Sequence, residues 1–175
     1  MAFIDKLALI LVRERRQLVA RTAGKTAFFT PGGKREGDVR APCTPPHGPH
    51  PPPHTHTHTR TATTTAAAAA ATIPSHRPAQ ETDHAALIRE CKEELTVDLR
   101  PASIEPYGVF QAQAFGKPQG VMVRMTCFTA SFDGQLAPSE EIEELKWITS
   151  DFDPELLTVT GRMILADLKE KGLVD

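Results

Sequence analysis

The sequence has little cysteine, no excess of charge of either sign and no long apolar run. Cys43, Cys91 and Cys127 are an odd set with no C-x-x-C pair, which argues against a disulfide framework and against a structural zinc site. Lysine and arginine total 20 against 22 aspartates and glutamates, a formal net charge of −2. Such a chain has no long-range attraction for a nucleic-acid backbone or an anionic membrane, so neither is expected as a partner. The N-terminal apolar run from Leu7 to Val12 is short and lies between Asp5-Lys6 and Arg13-Glu14-Arg15-Arg16. It fits a buried strand better than a signal peptide, and the expectation is a soluble, cytoplasmic protein.

What is present suits one mixed α/β domain spanning residues 1–175, with 40% hydrophobic residues to build a core. Leu7 to Val12 and Gln17 to Arg21 read as a hairpin, and Ala27 to Thr30 as a short third strand stopped by Pro31-Gly32-Gly33. Thr82 to Leu95 has helical periodicity, with Ile88, Cys91 and Leu95 on one face and Thr82 placed to cap its start. Strands are expected at Tyr107 to Phe115, Val121 to Phe132 and Leu145 to Thr149. Pro154 to Leu168 reads as a closing helix with Leu156, Val159, Met163 and Leu168 on its apolar side.

Between these halves the composition changes abruptly. Val39 to Gln80 is mainly Pro, Thr, Ala and His, and holds no Asp, Glu, Lys or aromatic residue. Such a stretch cannot bury enough apolar surface to offset the entropy of ordering it, and it reads as a disordered insert. It begins with Val, whose codons start GT, and ends with Gln, one of whose codons is CAG; these edges fit a translated intron. His54, His56 and His58 alternate with Thr and lack the fixed geometry of a closed metal site.

Chemistry concentrates on the first helix. Glu90, Glu93 and Glu94 stand at i, i+3 and i+4 and share one face. Two carboxylates about 6 Å apart repel by roughly 2–3 kcal/mol at an effective dielectric of about 20, so a semi-enclosed cluster favours a cation. Oxygen ligands select hard ions, Mg²⁺ first and Mn²⁺ as a substitute. The alternative, a solvated helix face with Arg89 and Lys92 nearby, costs only about 0.2–0.5 kcal/mol per like-charged pair.

With Val39 to Gln80 removed, Gly33-Lys34-Arg35-Glu36-Gly37-Asp38 runs directly into Glu81, then seven residues, then Arg89-Glu90-Cys91-Lys92-Glu93-Glu94-Leu95-Thr96-Val97. This resembles the Nudix box, G-x5-E-x7-R-E-U-x-E-E-x-G-U with U bulky and apolar, and departs from it only at Thr96, where the pattern has Gly. The resemblance implies a Nudix-like α/β/α sandwich with a mixed sheet and two principal helices. It also implies a Mg²⁺-dependent hydrolase that cleaves the diphosphate linkage of a nucleoside diphosphate-X, foremost a (deoxy)nucleoside triphosphate to its monophosphate and pyrophosphate.

By the same resemblance the Gly33 carbonyl joins Glu90, Glu93 and Glu94 around the metal, while Arg89 orients the carboxylates. Glu36 and Glu81 serve loop geometry or a second metal. Lys34 and Arg35 lie beside the loop and are candidates for phosphate contact. Among Glu140, Glu141, Glu143 and Glu144, Glu141 is the first choice for a further metal ligand or general base and Glu144 the second. Gln111, Gln113, Phe115 and Arg124 are cleft candidates by strand position, each with an ordinary role in the sheet as the alternative. His84 reads as a boundary residue. A homodimer is compatible with such a chain. The competing functional reading is a catalytically impaired Nudix domain that binds a nucleotide or a protein, favoured by the split loop and opposed by the intact glutamates.

Overall fold

Alternation along the first strand divides the interior into two cores. In the computed structural model, which describes residues 2–35 and 81–175, Leu7, Leu9 and Leu11 enter one cluster while Ala8 and Ile10 enter another. A period of two is what a strand buried on both faces requires.

The elements run β1 (Ala2–Leu9), β2 (Val12–Arg13), β3 (Arg16–Thr22), α1 (Asp83–Leu95), β4 (Asp98–Leu99), β5 (Glu105–Gln113), β6 (Val121–Thr129), β7 (Phe132–Asp133), β8 (Ile142–Ile148) and α2 (Val159–Glu170). β1 pairs in parallel with β6, which pairs antiparallel with β5; β2, β3 and β8 form an antiparallel sheet, and β4 pairs with β7. The chain between β1 and β2 links the two larger sheets, because Ile10 donates to the Phe128 carbonyl and the Leu11 carbonyl accepts from Leu18.

α1 covers one side of the sheets with Ala86, Leu87, Cys91 and Leu95, and α2 covers the other with Ile164, Leu165 and Leu168. Each leucine or isoleucine among them contributes about 1.5–3 kcal/mol on burial. This is the α/β/α sandwich with a mixed sheet and two principal helices.

Several boundaries differ from the sequence reading. The run read as one hairpin strand from Leu7 to Val12 ends as a strand at Leu9 and pairs with β6, so that only Val12–Arg13 forms the hairpin with β3. Ala27 to Thr30 forms only isolated bridges, Ala20 with Phe29 and Phe28 with Leu157. The expected strand from Val121 to Phe132 breaks after Thr129, and Phe132–Asp133 turns to pair with β4. The closing helix starts at Val159, since Phe28 donates to the Leu156 carbonyl and accepts from the Thr158 amide, which holds this stretch extended after a 3₁₀ turn at Pro154–Leu156. Leu156 and Met163, assigned above to the apolar side, are each 39% exposed, and Ile164 lies in the core instead. The segment Val39 to Gln80, read above as a disordered insert, lies outside the described residues.

Candidate functional site

Capping fixes the phase of α1 and with it the direction of the acids. The Thr82 hydroxyl accepts the Ala85 amide at 3.2 Å, satisfying a donor of the first turn. With Leu87, Cys91 and Leu95 in the core, Glu90 and Glu93 reach the outer face and Glu94 sits at its border, only 6% exposed.

The Pro31-Gly32-Gly33-Lys34 turn wraps these acids. The Gly32 amide donates to Glu94 Oε2 at 3.0 Å and the Lys34 amide to Glu90 Oε1 at 3.2 Å. A Cβ on Gly33 would stand 2.0 Å from the Glu90 carboxyl carbon, so the contact needs a residue without a side chain. The turn is itself held to β1: the Gly33 carbonyl accepts the Leu7 amide at 2.8 Å and the Pro31 carbonyl accepts the Leu9 amide at 2.9 Å.

Arg89 joins the two halves of the motif. Its guanidinium grips Glu81 with two bonds of 3.0 Å, donates to Glu90 at 3.0 Å and Glu93 at 3.1 Å, and reaches the Lys34 carbonyl at 2.9 Å. The bonds to Glu81 and Glu90 raise its pKa further above the ordinary arginine value. Arg35 is ion-paired with Asp83 at 2.6 Å, tying the loop to the first turn of α1.

Glu94 is the unusual titrating group. Burial foremost, with the charges of Glu90 and Glu141 adding, pushes its carboxyl up to about 7, while the Gly32 amide and Lys6 oppose the shift. Burial also pushes the Cys127 thiol up to about 12 and the Cys91 thiol higher still, so neither supplies a thiolate near neutral pH.

The loop before β8 is bonded to the end of α1. Ala137 and Ser139 donate to the Leu95 and Glu94 carbonyls, each at 3.1 Å, satisfying acceptors that the helix end leaves open. Glu140 takes a positive φ of 52° in this loop, and Glu140 and Glu141 then line one pocket with Glu90, Glu93 and Glu94. Glu143 and Glu144 turn instead to Arg21, at 2.8 and 2.7 Å.

Glu94 and Glu141 also line an adjoining cleft of about 300 Å³, whose walls include Lys6, Thr30, Lys34, Gln113, Phe115 and Thr160. Of the residues expected near substrate, Lys34, Gln113 and Phe115 are therefore brought to this cleft. Gln113 also holds the β5–β6 turn, donating to the Pro118 carbonyl at 2.8 Å and accepting the Gly120 amide at 3.0 Å. Arg124 is not brought there: its neighbours Val123 and Met125 line the cleft, and Arg124 is paired with Asp5 at 2.6 Å. Gln111 is exposed outside the cleft lining. His84 is exposed with its ring edge against Phe128, a boundary residue as expected, and Glu36 lies outside the described residues.

Sequence reasoning missed Lys6, Thr30 and Thr160. Lys6 carried a usable signal, since it shares parity with Ala8 and Ile10 along β1 and so had to enter the interlayer side. Thr30 and Thr160 carried none, because the cleft arises only where the Thr30 segment and the start of α2 come together.

The acids fit an oxygen-liganded ion in chemistry: they are carboxylates around a shared pocket, and one of them is held near neutrality by burial and like charge. Among the described residues no group of three or more His, Cys, Asp or Glu side chains is placed to hold a metal ion; Glu90 and Glu93 are drawn to Arg89. Among the described residues, no helix is long and apolar enough to cross a membrane.

A search of curated proteins finds no match. Among solved structures, the solution structure of the E. coli ORF135 protein aligns over 100% of this chain and 96% of its own, at 19% identity and a TM-score of 0.58. A MutT NUDIX hydrolase from Burkholderia pseudomallei aligns over 95% and 98%, at 19% identity and a TM-score of 0.56. The E. coli dihydroneopterin triphosphate pyrophosphohydrolase aligns over 95% of both chains, at 13% identity and a TM-score of 0.56. These likenesses establish the fold. The NUDIX domain family model matches residues 48–158, and with more than half of its length so matched this chain belongs to the Nudix family of hydrolases.

Proposed function

We propose that this chain is a Mg²⁺-dependent pyrophosphohydrolase that cleaves the diphosphate linkage of nucleoside diphosphate-X compounds, foremost a (deoxy)nucleoside triphosphate to monophosphate and pyrophosphate. The observation that carries the reading is the pocket shared by Glu90, Glu93, Glu94, Glu140 and Glu141 at the mouth of the Lys6–Thr160 cleft. A diphosphate held at the acids would extend its nucleoside into the cleft, where Phe115 offers an aromatic face.

Glu90, Glu93 and Glu94 would hold the ion, with the Gly33 carbonyl beside them. A bound Mg²⁺, or Mn²⁺ in its place, supplies neutralising charge for the diphosphate and acidifies water at the site. Arg89 releases Glu90 and Glu93 toward the pocket while keeping its two bonds to Glu81, so the motif stays joined as the acids turn. Glu141, exposed and opposite α1, accepts the proton of the attacking water. Lys34, whose side chain forms no ion pair among the described residues and lines the cleft, meets a phosphate oxygen, whereas Arg35 acts through Asp83 as a loop anchor. The domain is read as one catalytic unit interrupted by 39–80.

The test is a screen for Mg²⁺-dependent hydrolysis of nucleoside triphosphates, dinucleotides and nucleotide sugars. It compares the full chain, a chain lacking Val39 to Gln80, and Glu93→Gln in each. Turnover that needs Mg²⁺ and falls by at least about 100-fold in Glu93→Gln is expected, and it should be greater without the segment, which lies along the sequence between Gly33 and the acids that must be held in register with it. Tight nucleotide binding with no hydrolysis in any form would replace this reading with that of a binding module.

A further inference from the structure

Phe115 reaches the cleft from a turn that stands clear of the rest of the fold. β5 ends at Gln113 and β6 begins at Val121, and the residues between them make two successive turns. The Lys117 amide donates to the Ala114 carbonyl and the Val121 amide to the Pro118 carbonyl, each at 3.2 Å. The third place of each turn is a glycine at positive φ, Gly116 at 68° and Gly120 at 90°, as turns of this hand require. A Cβ at either glycine would meet nothing within 4 Å among the described residues. A tip with so little packing around it depends on its hydrogen bonds, and exposed stretches of this kind open locally with ease.

Gln113 supplies bonds that tie the two turns together. Its side-chain amide donates to the Pro118 carbonyl at 2.8 Å and, more weakly, to the Lys117 carbonyl at 3.4 Å, while its oxygen accepts the Gly120 amide at 3.0 Å. One side chain at the foot of the hairpin thus fastens both the middle of the tip and its returning arm. With its amide protons so committed, Gln113 has no donor left for a substrate, although it lines the cleft. Phe115, two residues on, lines the same cleft and is 59% exposed. An exposed ring gains when a flat partner covers it, and stacking is indifferent to which base does so, since every base has a π-face.

We propose that Gln113 is a positioning residue: by clamping the β5–β6 turn it holds Phe115 at the cleft as a stacking platform, so that the site selects an aromatic nucleobase and tolerates any of them. A platform ordered in advance strengthens binding because the ligand need not order it. The inference rests on the pyrophosphohydrolase reading for turnover of its ligands, whereas the clamp and the platform are testable by binding alone.

Gln113→Leu, Phe115→Leu and the double variant are compared in the full chain. Without ligand, hydrogen exchange at the Lys117 amide, which bonds to Ala114 and not to Gln113, should quicken about tenfold in Gln113→Leu and stay unchanged in α1. Equal exchange at Lys117 in parent and variant would overturn the clamp. Adenosine and uridine monophosphates are then titrated by calorimetry in EDTA. Both should bind about tenfold more weakly to Phe115→Leu, as for loss of one stacking contact, and at least about threefold more weakly to Gln113→Leu. The double variant should bind no more weakly than Phe115→Leu, because the clamp acts through the ring. Ribose 5-phosphate, which has no ring to stack, should not distinguish the forms. Multiplied losses in the double variant, a loss confined to one of the two bases, equal weakening of ribose 5-phosphate, or no nucleotide binding by the parent would each overturn the inference.

In Mg²⁺ the same variants should raise KM for nucleoside triphosphates in these proportions with kcat within about twofold, the mark of lost uniform binding. A fall in kcat at unchanged KM would overturn the positioning role. Absence of hydrolysis with the binding pattern intact would remove the pyrophosphohydrolase reading and leave the platform standing.

Discussion

The Glu94 carboxylate accepts the backbone amide of Gly32 at 3.0 Å from a side chain only 6% exposed, so the turn and the helix meet at a buried acid. Burial nonetheless raises this carboxyl from 4.5 to about 7, and a shift of that size is about 3 kcal/mol at one group. Because the folded-state value lies above the unfolded one, the group favours the fold most below about pH 4.5. That advantage is lost as pH rises to about 7, where the buried charge must form. Urea denaturation without metal should therefore show a fall in stability from pH 5 to pH 7.5 that Glu94→Gln flattens. Mg²⁺ should stabilise the parent more at pH 7.5 than at pH 5, and an identical pH profile for parent and variant would refute this account of Glu94.

The adjacent glycines separate fold from function. A Cβ at Gly32 would fall 2.3 Å from the Leu7 carbonyl oxygen, at a φ of +135°. Neither backbone can yield, so Gly32→Ala should cost about 3 kcal/mol or more. The three atoms nearest a Cβ at Gly33 are all in the carboxylate end of Glu90, at 2.0–2.2 Å, and that flexible end can swing aside. Gly33→Ala should keep stability within about 1 kcal/mol but weaken Mg²⁺ affinity and reduce kcat by about 10- to 100-fold, since displacing a reacting group by about 1 Å costs that much. Denaturation midpoints set against metal titrations decide both.

Glu141 and Glu144 are three residues apart and face different partners. Glu141 lines the acidic pocket with the α1 glutamates, while Glu144 is bonded to Arg21 at 2.7 Å. Glu141→Gln should lower kcat by about 10²–10⁴-fold and remove the acidic limb of the pH–rate profile, as expected for loss of a general base. Glu144→Gln should leave kcat within about twofold and cost at most about 1 kcal/mol, the usual worth of a partly exposed ion pair. A larger kcat loss in Glu144→Gln than in Glu141→Gln would reverse the assignment.

How far these positions were legible depends on the range of the force that sets them. The spacing of Glu90, Glu93 and Glu94 is a local helical property, and Thr82 caps α1 where the sequence places it. Glu141 could be chosen by its distance before Trp147, although what delivers it is a pair of backbone bonds from Ala137 and Ser139 to the end of α1. Arg124 shows where strand parity needs a known register: only the pairing of Asp5 with Arg124 across β1 and β6 fixes which face that side chain takes. The cleft itself was not legible, because Thr30 and Thr160 come to line it through an irregular segment, bonded at Phe28 to Leu156 and Thr158, that propensity read as an ordinary strand.

Thr96 stands where the family motif has glycine, and its backbone shows the reason for the glycine. It caps α1 with φ 61° and ψ 19°, the left-handed region, which costs a residue bearing a Cβ about 1–2 kcal/mol. A hydrogen bond from the Thr96 hydroxyl to the Gln135 carbonyl at 3.0 Å offsets part of this, by about 0.5–1.5 kcal/mol at most for such a bond. Thr96→Gly should then gain about 0.5–1 kcal/mol of stability, with kcat unchanged because the residue touches neither the acidic pocket nor the cleft. The urea midpoint at constant m-value measures it, and a loss of stability would mean that the bond to Gln135 outweighs the backbone strain.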